Sequence, residues 1–376
     1  MTAIGISGSY GGLNAGDEAI LTSMVAELRE AIDDLTLTVF SREASHTLAH
    51  HAVDAAIPAR AITRKEALEV MKSLDLLLLG GGGILYDGEA RHYLRDVRLA
   101  QEAGVRTMAY AVGAGPLTYA EDRRLLREIL PRMDAVTVRD SGAKRILEDL
   151  EVDCEVEVTA DPALLLRGER FSQTQLRLEG VPQGRRLVGI SLREPGTAAP
   201  DLDAAGYHAV LAHVADFVVE RFEAEILFIP MESYDVRLSH AVIARMSRAD
   251  RAHVLKGRYP PAELLGLMEH LTMVIAMRLH VLIFATLAGV PLFALPYAPK
   301  VVDFLDCLGV APSMRPSSDS VGALLAAIDR AWDLREEFAA NMAGSVAAMR
   351  RRARRTVDIA LECLPRPLPH AISQTG

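Results

Sequence analysis

Arg278 and His280 stand two residues apart in MVIAMRLHVLIFATLAGVPLFALPYAPK (residues 273–300), a segment that is otherwise almost wholly apolar and that Lys300 closes. Burying an unpaired charge is so unfavourable that such groups persist only with partners, supplied by the protein or by a ligand. MVIAM reads as a strand and HVLIFATLAG as a helix stopped by Gly289. Arg278 and His280 therefore fall at a strand-to-helix turn. A guanidinium, an imidazole and a helix start at one point favour an anion. The prolines of PYAPK stiffen the following loop, which carries Tyr297 and Lys300.

Other chemistry-bearing residues also follow apolar runs. GSYGGLNAGDEAI (8–20) frees the backbone to curl before a helix that begins near Asp17. Helix-start N–H groups attract phosphate or carboxylate. The stretch is not a P-loop, because no Gly-Lys-Ser/Thr follows. Asp17 is either an N-terminal cap alone or a substrate contact as well. In LLLLGGGGILYDG (76–88) the glycines permit close approach of ligand or backbone, and Asp87 could accept from a hydroxyl or act as a base. YAVGAGP (110–116) carries less chemistry. VTVRDSGAKRIL (136–147) puts Arg139 at a strand end, as an anion clamp or as the partner of Asp140 or Asp161. Asp161, in TADPALLL, reads as the first residue of an Asp-Pro turn. Arg193 in GISLRE, and Glu232 and Asp235 in FIPMESYD, end further strands and are either cleft residues or solvated loop starts.

These residues need a scaffold of alternating strands and helices. Strands are expected at 3–8, 35–41, 74–83, 105–116 and 133–140, with helices after the first glycine loop and at about 64–73, 91–103, 119–130 and 141–149. A polar stretch at 169–186 reads as a linker. A second series starts at 187, with strands at 187–194, 224–231, 252–257, 273–277 and 290–295 and helices near 205–223, 236–247, 261–271 and 281–288. The predicted organisation is an N-terminal Rossmann-like domain (1–168), the linker, a C-terminal Rossmann-like domain (187–320), and C-terminal helices with a tail (321–376). The fold class is α/β: two doubly wound domains facing a central cleft at the carboxyl ends of their parallel sheets, where ligands of such sheets bind.

At 376 residues the chain has room for two such domains. A net charge of −9 argues against nucleic-acid binding, which needs a basic face. Cys154, Cys307 and Cys363 have neither metal-site nor disulfide spacing, so reduced thiols and a cytoplasmic location are expected, with no metal. The start MTAIGISGSYGG lacks a basic, apolar leader, and no stretch of about twenty apolar residues runs unbroken. RRRARR (350–355), in an expected helix, is either a solvated face or an attraction for anionic lipid headgroups.

GGLNAGDEAIL, GGGGILYD, VRDSGAKRIL, DPALLL, SLRE and MRLHVLIFATLAGVPLFALPYAPKV occur in this order across roughly residues 5–310. Together they resemble the polysaccharide pyruvyl transferases, with the Arg-Leu-His block through Lys300 the most specific part. The resemblance is to the bacterial cell-wall members, which add pyruvate as a ketal to an N-acetylmannosamine-containing saccharide. It implies a fold similar to the two-domain GT-B glycosyltransferases and phosphoenolpyruvate as a co-substrate, with no cofactor required. On this resemblance Arg278, Lys300, Arg139 and Tyr297 would bind phosphoenolpyruvate. His280 would be the acid/base, since imidazole works near neutral pH, and Asp17 and Asp87 would serve the sugar hydroxyls. Asn14, Gly16, Gly81, Gly82, Arg193 and Glu232 would form the acceptor side and its loops. The implied partner is a saccharide, lipid-linked or free, met at the inner face of the cell membrane; self-association stays open. Two rivals remain: a nucleotide-sugar glycosyltransferase of the same fold, and a two-lobed protein that binds an anion without consuming it.

Overall fold

The computed structural model describes residues 1–12, 14–194, 199, 201–310, 314–317 and 320–365. The expected C-terminal tail beyond residue 365 lies outside them. The first sheet takes β1 (Thr2–Ser7), β2 (Leu35–Ser41), β3 (Ala55–Pro58), β4 (Leu76–Leu79), β5 (Gly82–Leu85), β6 (Arg106–Ala114), β7 (Ala135–Val138) and β8 (Glu157–Val158). Between them run α1 (Ala15–Ala31), α2 (Ala44–His50), α3 (Arg64–Met71), α4 (Ala90–Glu102), α5 (Ala120–Ile129) and α6 (Ser141–Asp149). The strand order is β3-β2-β1-β4-β6-β7-β8, with β5 added on β6, and every pairing is parallel. Strands covered on both faces need apolar residues throughout; β4, four consecutive leucines, is fully buried.

After α7 (Gln173–Leu178) come β9 (Arg186–Ser191), α8 (Ala204–Phe222), β10 (Ala224–Phe228), α9 (Ser233–Ile243), β11 (Ala252–Val254), α10 (Pro261–Met268), β12 (Met273–Ala276), α11 (Leu279–Leu287), β13 (Leu292–Ala294) and α12 (Pro299–Leu308). The second sheet, β11-β10-β9-β12-β13, is also parallel. In each sheet the first strand is flanked by neighbours reached in opposite directions. The switch points lie between β1 and β4 and between β9 and β12. Crevices open there at the carboxyl ends, so Gly8, Gly80–Gly82, Arg193 and Arg278–His280 all gather at one cleft.

Two local departures from expectation have physical causes. The run at 74–83 is not one strand: β4 stops at Leu79 and the chain resumes as β5 against β6. Gly80 passes so close to Tyr10 that a Cβ would lie 2.2 Å from its hydroxyl, and Gly82 turns at φ +93°. PYAPK is not only a loop, because Pro299 is the first residue of α12, a position that suits its fixed φ.

The polar linker is folded. Ser172 and Gln175 form a capping box on α7, and Glu179 accepts from Lys256 N, Gly257 N and the Tyr259 hydroxyl. The domains meet through Ala15 N to Met231 O at 2.9 Å and Glu169 N to Ala262 O at 2.9 Å. After α13 (Val321–Asp333), α14 (Arg335–Glu362) returns to the first domain. Its Met349, Ala353, Val357 and Ala360 join the same core as Met108 and Tyr110 of β6. Arg106 donates to Cys363 O and Arg350 to Leu164 O.

Candidate active site

The arginine in the apolar run is neutralised from within. Arg278 is 9% exposed and stands at the N-cap of α11. Its Nε donates to Asp235 Oδ2 at 3.0 Å, and its Nη2 meets both Asp235 and Glu232. Arg278, expected at phosphoenolpyruvate, and Glu232, expected on the acceptor side, are thus paired with one another. Asp235 also accepts from Met231 N at 3.0 Å. Burial lifts its carboxyl above the ordinary value, and Arg278 offsets only part of this.

His280 follows in the first turn of α11. Its ring is pressed against Gly16 of α1, where a Cβ would come within 2.0 Å of Nδ1. That is why a helical position that could favour alanine holds glycine. Nε2 lies 3.7 Å from Asp161 Oδ2 and has no hydrogen-bond partner among the described residues, although it is buried.

Asp161 does open a turn, accepting from Ala163 N at 3.0 Å, as its Asp-Pro dipeptide predicts. It also receives Arg139 Nη1 at 3.1 Å. Burial alone would raise its pKa; His280, Arg139 and the Ala163 N–H reverse this and hold it well below the ordinary carboxylate range. Sequence reasoning treated Asp161 as structural and missed its place behind His280. Its position just beyond the end of β8, on the cleft side, was the available signal.

Arg139 satisfies both of the internal partners open to it, with Nε 3.2 Å from Asp140 Oδ2. Its guanidinium lies so close to Gly113 that a Cβ there would sit 2.9 Å away. Two carboxylates thus balance the guanidinium expected as an anion clamp, and one of them is Asp161.

Asp17 is the third residue of α1, not its cap; Asn14 caps the helix, accepting from Gly16 N at 2.8 Å. The Asp17 carboxylate faces Gly82, near His280 and Lys300. Burial raises its pKa despite His280, the Ser9 hydroxyl and Lys300, which all pull the other way. The glycine loop before it binds no free anion through Gly11 and Gly12. Both of their N–H groups donate to Glu18 Oε1 at 2.9 Å, and His51 holds the other Glu18 oxygen at 2.7 Å. Asp87, expected to serve a sugar hydroxyl, accepts from Thr118 N, the Thr118 hydroxyl and Tyr119 N, and so fastens the entry to α5. Gly81 packs on Ile20 and Pro162.

A different arrangement surrounds Tyr297. Arg193 lies over its ring with Cζ 4.1 Å from the centroid, and Lys300 Nζ is 5.3 Å away. Neither cation forms a salt bridge among the described residues. Burial would raise the phenol, yet Lys300 and Arg193 together bring its pKa below the ordinary value. Two like charges thus share one phenol. The first turns of α11 and α12, neither capped by a side chain, add their N–H groups beside it. Lys300 lines one cavity with Arg139, Asp161, Leu279 and Asp303. Among the described residues no group of three His, Cys, Asp or Glu could hold a metal ion.

The sequence matches the polysaccharide pyruvyl transferases over residues 14–299, most of the chain. The protein belongs to the polysaccharide pyruvyl transferase family. No protein of curated function matches it. Solved structures share its architecture. The Staphylococcus aureus MnaA–UDP co-structure has a TM-score of 0.67 and 11% identity, covering 98% of this chain and 99% of that one. The UDP-GlcNAc 2-epimerase of Neisseria meningitidis bound to UDP-GlcNAc gives 0.62 and 11%, covering 96% and 100%. A glycosyltransferase from Rickettsia africae gives 0.64 and 12%, covering 96% and 98%. At such identities the likeness establishes the two-domain GT-B fold of this family member. No helix among the described residues is long and apolar enough to cross a membrane.

Proposed function

We propose that this family member takes its pyruvyl group from phosphoenolpyruvate and sets it as a cyclic ketal on two hydroxyls of one sugar, releasing phosphate. The observation that carries this reading is the pair Arg193 and Lys300, which share Tyr297 and have no carboxylate partner among the described residues, beside His280 and two uncapped helix starts. A small trianion with a phosphate and a carboxylate suits such a field. His280, backed by ionised Asp161, delivers a proton to the methylene carbon. The sugar's first hydroxyl adds to the resulting oxocarbenium-like carbon, phosphate departs, and the second hydroxyl closes the ring. Of the two hydroxyl protons lost, one replaces the proton now on the methyl group and the other leaves with phosphate. Asp17, from the opposite domain and with its raised pKa, is the group that accepts a hydroxyl proton.

The acceptor we propose is an N-acetylmannosamine-containing cell-wall precursor, lipid-linked and met at the inner face of the membrane. No cofactor enters the scheme. In the basic run of α14, Arg355 pairs with Glu157 and Glu362. The exposed Arg351 and Arg354 are left to face a lipid surface.

Phosphate release from phosphoenolpyruvate, measured with a panel of such acceptors, tests the proposal. Acceptor-dependent release with a pyruvylated product is expected, together with thermal stabilisation by phosphoenolpyruvate. Stabilisation by UDP alone, without release, would transfer the protein to sugar transfer. Replacing His280 by Ala should lower turnover by about 10²–10⁴-fold with the melting transition intact; near-normal turnover would remove His280 from the mechanism.

A further inference from the structure

A second basic recess opens in the first domain, at the carboxyl ends of β1, β2 and β3. It has a volume of about 150 Å³ and is lined by Ser7, Arg42, Arg60, Tyr93, Arg95 and Asp96, among others. Three guanidinium groups meet there with little to neutralise them. Arg42 and Arg60 both spend a nitrogen on one oxygen of Glu89, at 2.9 and 2.6 Å. Arg42 also donates to the Tyr93 hydroxyl at 2.9 Å, and its buried Nε has no partner. Arg95 donates to the carbonyls of Ala59 and Ile62, each at 3.1 Å, and forms no salt bridge among the described residues. The remaining acid, Asp96, is hydrogen-bonded by Ser7 Oγ at 2.8 Å. Its burial pushes its pKa up to about 6, which weakens its negative charge in mildly acidic solution. A net positive recess in a chain of charge −9 calls for an anion.

The recess adjoins the catalytic cleft. Ser7 and Gly8 lead into the loop whose Ser9 hydrogen-bonds Asp17. Tyr86 lies between the two places: its phenol, raised first by burial, is within electrostatic reach of Glu89, Tyr93 and Arg42 on one side and of Asp17 on the other. An acceptor whose hydroxyls sit at Asp17 would reach the recess by passing Gly8 and Tyr86.

We propose that this recess binds an anionic group of the acceptor, a phosphate or a sugar carboxylate, through Arg42, Arg60 and Arg95, and so selects charged acceptors over neutral ones. The proposal rests on the transferase reading for the identity of the acceptor, but the anion site can be tested without turnover.

Two experiments separate these. In the first, pyrophosphate is titrated into the full-length Lys300→Ala variant, which disables the donor site, and into the same variant carrying Arg60→Glu. Arg60 is exposed and pairs with Glu89 alone, so charge reversal there leaves the core untouched; Arg42→Gln is the second probe. Binding to the first protein and about a tenfold or greater loss in the second supports the recess, whether or not pyruvyl transfer is ever observed. Equal binding by both overturns it. The second experiment compares KM for a diphosphate-linked, a uronic acid-containing and a neutral acceptor glycoside. Arg60→Glu should raise KM about tenfold for one of the anionic acceptors, identifying the anion's source, and leave the neutral glycoside and phosphoenolpyruvate unchanged. A rise common to all acceptors, or none, overturns the proposal.

Discussion

Two pairs of cations in this protein look alike in sequence and have opposite fates. Arg278 and Arg139 each end an apolar strand and are buried against two carboxylates, Asp235 with Glu232 and Asp161 with Asp140. Arg193 and Lys300 also follow apolar strands, yet the group they share is the face of Tyr297. A buried cation whose charge is already matched is a fixed part of the frame, and removing it strands its partners. A cation left with an aromatic ring keeps most of its field for a visitor. The separation between architecture and chemistry runs through residues of the same type.

The largest effect expected from this contrast is on stability. Arg278→Ala leaves Asp235 buried and unpaired, and should cost about 3–5 kcal/mol, read as a lowered urea midpoint. Lys300→Ala should leave that midpoint nearly unmoved and raise KM for phosphoenolpyruvate by about a hundredfold, since a charge-assisted contact is worth about 1.5–3 kcal/mol. If the two variants exchanged these phenotypes, the contrast would be broken.

A pH titration sharpens it further. Asp161 has a depressed folded pKa, so its contribution to stability is complete above the ordinary carboxylate range and disappears as pH falls through the folded value. Wild type should therefore lose stability relative to Asp161→Asn on acidification, and parallel curves would show that the carboxylate's charge is not what matters. The smallest effect belongs to Asp87→Ala. Loss of its contacts with Thr118 and Tyr119 should cost about 1–2 kcal/mol, while kcat and both KM values stay at wild-type levels.

What could be read in the sequence follows the same division. The strand at 35–41 and the helix at 141–149 match their expected bounds, because their signals are local: an apolar run bounded by polar residues, and an Asp cap before a periodic face. The short α2 and β3 escaped, since both are largely or partly exposed and neither has a clear apolar stripe. The grouping of Arg193, His280, Tyr297 and Lys300 after strands was legible from element order. Of the pairings, Arg139 with Asp140 or Asp161 was open in the sequence. Arg278 with Asp235 and Gly16 with His280 arise only through the packing of elements far apart in the chain. Whether an arginine is framework or site is decided by such partners.

The return of α14 to the first domain bears on the order in which the protein can be made. Met349, Ala353, Val357 and Ala360 belong to the core that contains Met108 and Tyr110. The amino-terminal domain leaves the ribosome before the second one, yet part of its interior is encoded after the second domain. Domains usually fold as they emerge, but here this face must wait, with apolar surface uncovered, until α14 has been made. Synthesis halted before residue 349 would release two nearly finished domains and one open seam, a natural target for chaperones.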